Sequence, residues 1–412
     1  MDKKKIILQE KEIDVVVTGR NYSNILTMAR ALGKAGYTVE VLRVFKTKPS
    51  KLNLLRLMKP EAYSKFVQNY TECIADNNPD NIVNKLLEMK SETKKKLLVP
   101  VDDYLVGVVD DALDQLKDFF SIPSIKGKAG EINRLMDKDE QKTVAKNKNM
   151  PVLNSVLIKS QNGEFSIPNE VRYPCFVKPN ISMNSTKSHM KKCDSYDDLK
   201  NTLTKFCEKG DVEMLVEDYA DIKHEYSILG LSYKGTTVAP CMFKVVEGGH
   251  KERTGVTLIG ETVDCNRYQK IIKKCCEFVT TLSYDGIFDI DLIETKDEKI
   301  YFIEINFRAG ASMDVFTQTG VNLGKMLADA FIKDISIDTD VISSCDGDRF
   351  VSEKILIEEF ARGDANRQLI KKYMDECKMH FIKDKEDIKP YKYFRKYYFV
   401  AGAMQLLYKI KR

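Results

Sequence analysis

Polar side chains suited to metal or phosphate chemistry recur at alternate positions in two neighbouring strand-like segments, residues 288–293 and 300–308. They are Asp289 and Asp291 in the first segment and Glu304, Asn306 and Arg308 in the second. Side chains of a strand alternate between its two faces, so pairing the segments as a hairpin gathers these groups at one edge of a sheet. The polar stretch 296–299 predicts the turn between the two strands.

Such a hairpin is suited to hold a cation. Carboxylates crowded on a half-buried sheet repel one another and lose hydration, which favours a positive charge among them. Carboxylate and amide oxygens suit Mg²⁺, which prefers a few protein ligands together with substrate phosphates. Arg308 could clamp a phosphoryl oxygen or a carboxylate through two parallel hydrogen bonds. The alternative is an ordinary hairpin whose polar face is solvated.

Lysines precede this hairpin at three positions of interest. Lys178 lies in the apolar strand-like segment 173–179, where a lysine must either extend to solvent or find an anion. Lys138 opens a helix predicted to end near Asn149, and on its own it would be an ordinary exposed helix lysine. Lys187 lies in the loop 180–188, which is rich in asparagine, serine and threonine and contains no glycine.

Acidic residues close the strands that lie between these lysines and the hairpin. They are Glu217, followed by Asp218, Tyr219 and Ala220, at the end of one predicted strand, and Glu225 in the next. Farther on, a Gly-Gly turn at 248–249 leads to Arg253. That segment is suited to bind an anion near an active centre, and the alternative is a polar hairpin loop.

Taken in order, these elements resemble the ATP-grasp superfamily, whose signature is an acidic residue on one strand followed by Glu-x-Asn-x-Arg on the next. The resemblance implies that Asp291, Glu304 and Asn306 bind Mg²⁺ (or Mn²⁺) and that Arg308 contacts phosphate or substrate. The implied ATP contacts are Lys138, Lys178 and Lys187 at the phosphates, Glu217, Asp218, Tyr219 and Ala220 at the adenine, and Glu225 at the ribose. The glycine-free loop departs from the family pattern, in which backbone N–H groups of a glycine-rich loop wrap the phosphates.

The resemblance implies an ATP-dependent carboxylate–amine ligase that works through an acyl phosphate and releases ADP and phosphate. Arg308 and Arg253 are the expected catalytic side chains. Within the superfamily the chain looks closest to carboligase-like members, which include D-aspartate ligase-like enzymes. Two alternatives stay open: another enzyme on the same fold, such as a kinase or a carboxylase, and a non-catalytic ATP-binding scaffold. The glycine-free loop motivates the second alternative.

The expected fold class is α/β, an ATP-grasp fold preceded by a Rossmann-like domain. Apolar patterns predict a strand over 13–19, a helix over 24–35 and a second strand over 37–45, which together form a βαβ unit. A later strand over 96–101 is followed by a helix predicted to reach about Phe120. We therefore expect an N-terminal Rossmann-like domain at 1–125, an ATP-grasp domain at 126–335 and a C-terminal region at 336–412.

The charge distribution and the cysteine content limit the classes of partner expected for this chain. The net charge is +5, and residues 381–412 contain nine Lys or Arg against three acidic residues, so the rest of the chain is nearly neutral. This argues against a nucleic-acid-binding core. The basic end is expected to be a solvated helix end, with contact to an anionic membrane as the less favoured alternative.

The ten cysteines lack paired metal-type spacing and indicate reduced thiols in a cytoplasmic protein. Small-molecule carboxylates and amines are the expected partners, and a homodimer is an open alternative.

Overall fold

The computed structural model describes residues 12–48, 54–181, 190–208, 210–249 and 256–410. Its strands are β1 (Val15–Gly19), β2 (Val39–Phe45), β3 (Val67–Ile74), β4 (Lys96–Pro100), β5 (Phe120–Ser121), β6 (Ser124–Ile125), β7 (Ser155–Lys159), β8 (Cys175–Pro179), β9 (Lys191–Cys193), β10 (Glu213–Asp218), β11 (Ile222–Tyr233), β12 (Thr236–Gly248), β13 (Thr257–Thr262), β14 (Tyr284–Thr295), β15 (Ile300–Asn306), β16 (Arg349–Val351) and β17 (Met379–His380). Its α-helices are α1 (Tyr22–Lys34), α2 (Asp80–Glu88), α3 (Asp103–Asp111), α4 (Leu113–Leu116), α5 (Glu131–Leu135), α6 (Lys138–Asn147), α7 (Tyr196–Cys207), α8 (Gln269–Leu282), α9 (Met313–Gln318), α10 (Leu323–Lys333), α11 (Glu353–Arg362), α12 (Arg367–Glu376), α13 (Ile388–Arg395) and α14 (Tyr397–Ile410).

The N-terminal part forms a parallel five-stranded sheet in the order β3-β2-β1-β4-β5. Every residue of β1 and β4 is buried, as expected for parallel strands covered on both faces. Val15 and Val17 pack on the side of α1, whereas Val16 packs with residues of α2 and α3 on the other side. The predicted Rossmann-like domain is confirmed. The strand order reverses between β1 and β4, which makes the carboxyl ends of these two strands the topological switch point of the sheet.

The predicted extent of the helix after β4, to about Phe120, was wrong. It ends at Asp111, the short α4 follows, and Phe120 begins β5, where it pairs with Lys96 of β4. No glycine or proline marks the break. Burial of Leu113, Leu116 and Phe120 in the core beside the sheet overrides the local helical pattern.

Two further sheets form the middle of the molecule, and their strand pairs are antiparallel except for the parallel pair of β16 and β17. The smaller has the order β7-β10-β8-β9, and α7 covers it. The larger has the order β15-β14-β11-β12-β13-β16-β17, with β6 also pairing with β14. Helix α8 packs on one face of the larger sheet, and α1, α9, α10 and α11 share a core with the other face.

The C-terminal region is joined to both preceding parts. Strand β16 pairs with β13, so the large sheet continues past residue 335, where the sequence predicts a domain boundary. The fully buried Arg30 of α1 donates hydrogen bonds to the carbonyl oxygens of Phe381 and Ile382 and to the carboxylate of Asp387. Among the described residues, no helix combines the length and apolar character needed to cross a membrane.

Candidate active site

The predicted hairpin forms from β14 and β15 and brings its polar side chains into register. Asp291 lies opposite Glu304 and Asp289 lies opposite Asn306. A bulge follows, because Leu292 pairs with Phe302 and Ile303 has no partner in the register. The amide nitrogen of Asn306 lies 3.5 Å from a carboxylate oxygen of Asp291. Ser227 on β11 donates a hydrogen bond to the buried Asp289. Burial and the neighbouring Asp291 raise the pKa of Asp289 to about 7.

A cavity of about 480 Å³ opens between the hairpin and the small sheet. This volume is within the range typical of small-molecule sites. The predicted site residues that line it are Lys138, Lys178, Glu217, Asp218, Tyr219, Ala220, Glu225, Asp291 and Glu304. Apolar side chains, among them Leu153, Phe176, Met190, Leu292 and Ile303, complete its walls. The structure therefore unites residues from α6, β8, the β10–β11 region and the β14–β15 hairpin, with Lys138 and Glu304 lying 166 positions apart.

One wall of the cavity contains a buried cluster of two lysines and one glutamate. The Nζ atom of Lys178 on β8 lies 2.9 Å from a carboxylate oxygen of Glu217 on β10, and Lys142 of α6 pairs with the same oxygen. All three side chains are buried. Burial alone would raise the pKa of Glu217, but Lys178 and Lys142 outweigh it and lower this pKa to about 2. Burial lowers the pKa of Lys142 to about 8.

Lys138 connects the two walls. It is the first residue of α6, whose N-cap Asp137 accepts a hydrogen bond from the backbone N–H of Glu140. Its ammonium group pairs with Glu304 on β15. The side chain of Gln141 bonds both the N–H and the C=O of Ile305, each at 3.0 Å, and so fixes α6 against β15. Burial, and next the charge of the nearby lysine on β8, lower the pKa of Lys138 to about 7.

The segment predicted to read the adenine lies at the rim of the same cavity. The backbone N–H groups of Asp218 and Tyr219 donate to the carbonyl oxygens of Asn154 and Pro174, at 3.0 and 3.1 Å. These bonds hold the chain as it leaves β10. The Tyr219 ring is 40% exposed and lies 4.7 Å from the ammonium group of Lys192.

Arg308 lies outside this cavity, in the bend that follows β15. Its Nε atom donates to Asp103 of the N-terminal domain at 2.9 Å, and its Nη2 atom lies 3.4 Å from the amide oxygen of Asn306. The structure therefore places Arg308 and Asn306 between the cavity and the N-terminal sheet. The predicted Lys187 and Arg253 lie outside the described residues.

Sequence reasoning missed two charged partners in this region. Lys142 lies one helical turn after Lys138, and the four-residue spacing, which puts both lysines on one face of α6, is a signal that could have found it. Asp103 follows β4, and the rule that ligands bind at a topological switch point could have singled it out. Both pair with residues distant in sequence, which no local pattern reveals.

The hairpin fits a hard divalent cation. Asp291 and Glu304 offer carboxylate oxygens at the cavity floor, Asn306 lies next to Asp291, and Mg²⁺ needs few protein ligands when phosphates supply the others. The described residues contain no cluster of three or more His, Cys, Asp or Glu side chains able to enclose a metal alone. The ligand roles of the three residues stay predictions.

Comparison with known proteins identifies the class. The family model for the carbamoyl-phosphate synthase L chain, ATP-binding domain, matches residues 137–329, just under half of the chain. No curated protein matches in sequence.

Solved structures share the fold at low sequence identity. L-amino acid ligase from Bacillus licheniformis superposes with a TM-score of 0.58 at 13% identity, covering 79% of this chain and 75% of that one. Biotin carboxylase from Campylobacter jejuni has a TM-score of 0.60 at 14% identity, with coverage of 82% and 74%. N5-carboxyaminoimidazole synthetase from Staphylococcus aureus has a TM-score of 0.56 at 14% identity, with coverage of 79% and 78%.

The matched domain and the shared fold confirm the predicted ATP-grasp fold with an N-terminal Rossmann-like domain. Solved structures of this fold contain a β,γ-ATP ligand or MgADP, in agreement with the predicted ATP and Mg²⁺. At these identities the likeness concerns the fold, and the neighbours include both ligases and carboxylases.

Proposed function

We propose that the chain is an ATP-dependent carboxylate–amine ligase. It activates a carboxylic acid as an acyl phosphate and joins it to an amine, releasing ADP and phosphate. The observation that carries the proposal is the register of the hairpin, in which Asp291 faces Glu304 at the floor of a 480 Å³ cavity that also holds Lys138 and Lys178. Acidic oxygens and lysines at one end of a partly apolar cavity suit a magnesium triphosphate.

The residues divide the work by position. Apolar side chains such as Phe176 and Leu292 bury the base, and the segment from Glu217 to Ala220 borders its edge. Lys178 and Lys138, both buried, neutralise phosphate oxygens. Mg²⁺, when bound by Asp291, Glu304 and Asn306, neutralises charge on the two outer phosphates.

The first step forms a bond between a carboxylate oxygen of the acid and the γ-phosphorus while the bond to the β,γ-bridging oxygen breaks. In the second step the amine attacks the acyl carbon, phosphate leaves with the bonding electron pair, and the amine loses a proton. Arg308, which bonds Asn306 on one side and Asp103 on the other, stabilises charge on the transferred group. Positioning and electrostatics supply most of the rate acceleration in phosphoryl transfer.

The test is a screen of carboxylic acids and amines for release of ADP and phosphate, with mass spectrometry of the joined product. A ligase requires both an acid and an amine. ADP release that depends on bicarbonate would favour a carboxylase, and phosphorylation of an acceptor without an amine would favour a kinase. ATP binding without turnover in every mixture would favour the scaffold alternative.

A further inference from the structure

Two guanidinium groups are anchored by adjacent aspartates at the switch point of the N-terminal sheet. Asp102 and Asp103 follow β4 directly, and each accepts a hydrogen bond from the Nε atom of one arginine. Asp102 holds Arg20, which follows β1, at 3.3 Å, and Asp103 holds Arg308 at 2.9 Å. One arginine therefore comes from the N-terminal domain and the other from the ATP-grasp hairpin.

Arg20 has the form of a prepared anion receptor. Its guanidinium lies 4.4 Å from the centre of the Tyr104 ring, and its backbone N–H donates to the second oxygen of Asp102 at 2.5 Å. Within the described residues, neither Nη1 nor Nη2 of Arg20 has a hydrogen-bond partner, and the side chain is 37% exposed. A guanidinium fixed through Nε presents its two terminal nitrogens as a fork that matches a carboxylate.

The crevice expected outside the carboxyl ends of β1 and β4 is narrow at its base and tied to the hairpin. A Cβ atom at Gly19 would lie 2.6 Å from Cγ2 of Val101, so the ends of β1 and β4 approach closely only with glycine there. The hydroxyl of Thr27 on α1 donates to the carbonyl oxygen of Ala311 at 3.2 Å, which holds the segment after Arg308 against the N-terminal domain. Open α/β sheets bind ligands at such a point.

We propose that this crevice binds the carboxylic acid substrate, and that this acid has a second anionic group. Arg308 faces the carboxylate that is activated, next to the metal-binding edge of the hairpin, and Arg20 binds the second anionic group. The proposal rests on the proposed ligase function for the identity of the bound acid as a substrate. It adds the class of acid, which is a small dicarboxylate or a compound of similar charge.

The test measures direct binding by calorimetry, with the full chain, Mg²⁺ and a non-hydrolysable ATP analogue. The probes are malonate, succinate, glutarate, aspartate and glutamate, each compared with a monocarboxylate of the same chain length: propionate, butyrate, pentanoate, 2-aminobutyrate and 2-aminopentanoate. We expect at least one diacid to bind about tenfold more tightly than its monocarboxylate partner, because one charge-assisted contact distinguishes them. Diacid and monocarboxylate binding of equal strength, or no diacid binding at all, would overturn the proposal.

Variants of Arg20 test whether its guanidinium binds the second anionic group of the acid. R20Q should weaken binding of the preferred diacid about tenfold, R20K should weaken it less, and neither should alter the affinity for the ATP analogue. Asp102 keeps its bonds from the backbone N–H groups of Arg20 and Leu105, so the fold should survive, which circular dichroism can verify. The matched control is R267Q, at a 64% exposed arginine paired with Asp346.

The outcomes separate the two proposals. Unchanged diacid affinity in R20Q would overturn the subsite. Diacid binding that R20Q weakens, together with no ADP release for any diacid and amine, would support the subsite and contradict the ligase function.

Discussion

Two walls of the cavity carry opposite excess charge. The first is formed by β8 and β10 together with Lys142 of α6, and the second is formed by β14 and β15. On the first, Lys142 and Lys178 share the single carboxylate of Glu217. On the second, Asp289 and Asp291 adjoin Glu304, and Lys138 reaches across to pair with the last of these. The first wall is a buried ion cluster in which each charge has an opposite neighbour.

The acidic wall shows signs of crowding. The raised pKa of Asp289 reflects burial and repulsion from Asp291, so this wall gains most from an added cation. Under the proposed function, the lysine wall receives phosphate and the acidic wall receives the metal that accompanies it. Variants of each wall should therefore fail in different ways.

The largest effect is expected for E304Q on the acidic wall. Loss of one negative ligand should lower turnover by roughly a thousandfold, in the range seen when a charge-stabilising group is removed from an active site. The fold should survive because glutamine has the same shape and the side chain is 25% exposed. ADP release at saturating ATP, titrated with Mg²⁺, measures the effect. E213Q, at the exposed start of β10, is the control, and wild-type turnover of E304Q at limiting Mg²⁺ would contradict the ligand role.

E217Q should lower the free energy of unfolding by disrupting the lysine wall. Removing the carboxylate leaves Lys142 and Lys178 buried without their shared partner, which should cost roughly 3 kcal/mol at pH 7. The folded-state pKa of Glu217, about 2, is below its ordinary value of 4.5, so its stabilisation is complete above pH 4.5 and declines as pH falls toward 2. Urea unfolding at pH 7 and pH 3 should show the gap between wild type and E217Q narrowing at pH 3. An equal gap at both values would show that the charge of Glu217 is not what stabilises the wall.

R308K tests the connection between the acidic wall and the N-terminal domain. Lysine keeps the charge but cannot bond Asp103 and Asn306 while presenting a fork to a phosphoryl group. Turnover should fall by roughly thirtyfold with ATP affinity nearly unchanged, because the contact strengthens mainly in the transition state. Steady-state kinetics and calorimetry separate the two quantities. The products should be ADP and phosphate, and stoichiometric AMP and pyrophosphate would contradict the proposed mechanism.

The acidic wall could be predicted from sequence because its information is local. Alternation along two adjacent strands predicted which polar side chains share a face, whereas the pairing of Asp291 with Glu304 also depends on the bulge between Asp291 and Leu292. The lysine wall was only half predictable. Lys178 was conspicuous within an apolar strand, but its pairing with Glu217 depends on the register between β8 and β10, which are separated by α7.

Contacts between domains could not be predicted at all. Asp103 and Arg308 are 205 residues apart, and their pairing depends on how the N-terminal sheet is placed against the hairpin. The same holds for Arg30 and Asp387, which join α1 to the C-terminal region. Tertiary placement of this kind leaves no periodic signal in either segment.

The smallest of these effects, about tenfold, is expected in ATP affinity for K178A, and comparison with K142A sharpens the contrast between the walls. Both lysines pair with Glu217, but only Lys178 lines the cavity. K178A should therefore raise the dissociation constant for ATP about tenfold, the value of one charge-assisted contact. K142A should lower stability by a similar free energy while changing ATP affinity much less, because it acts only through Glu217. Calorimetry of ATP binding and urea unfolding of both variants make the comparison. Equal losses of ATP affinity would show that the nucleotide responds to the charge of the whole cluster, and unchanged affinity in K178A would remove Lys178 from the phosphate site.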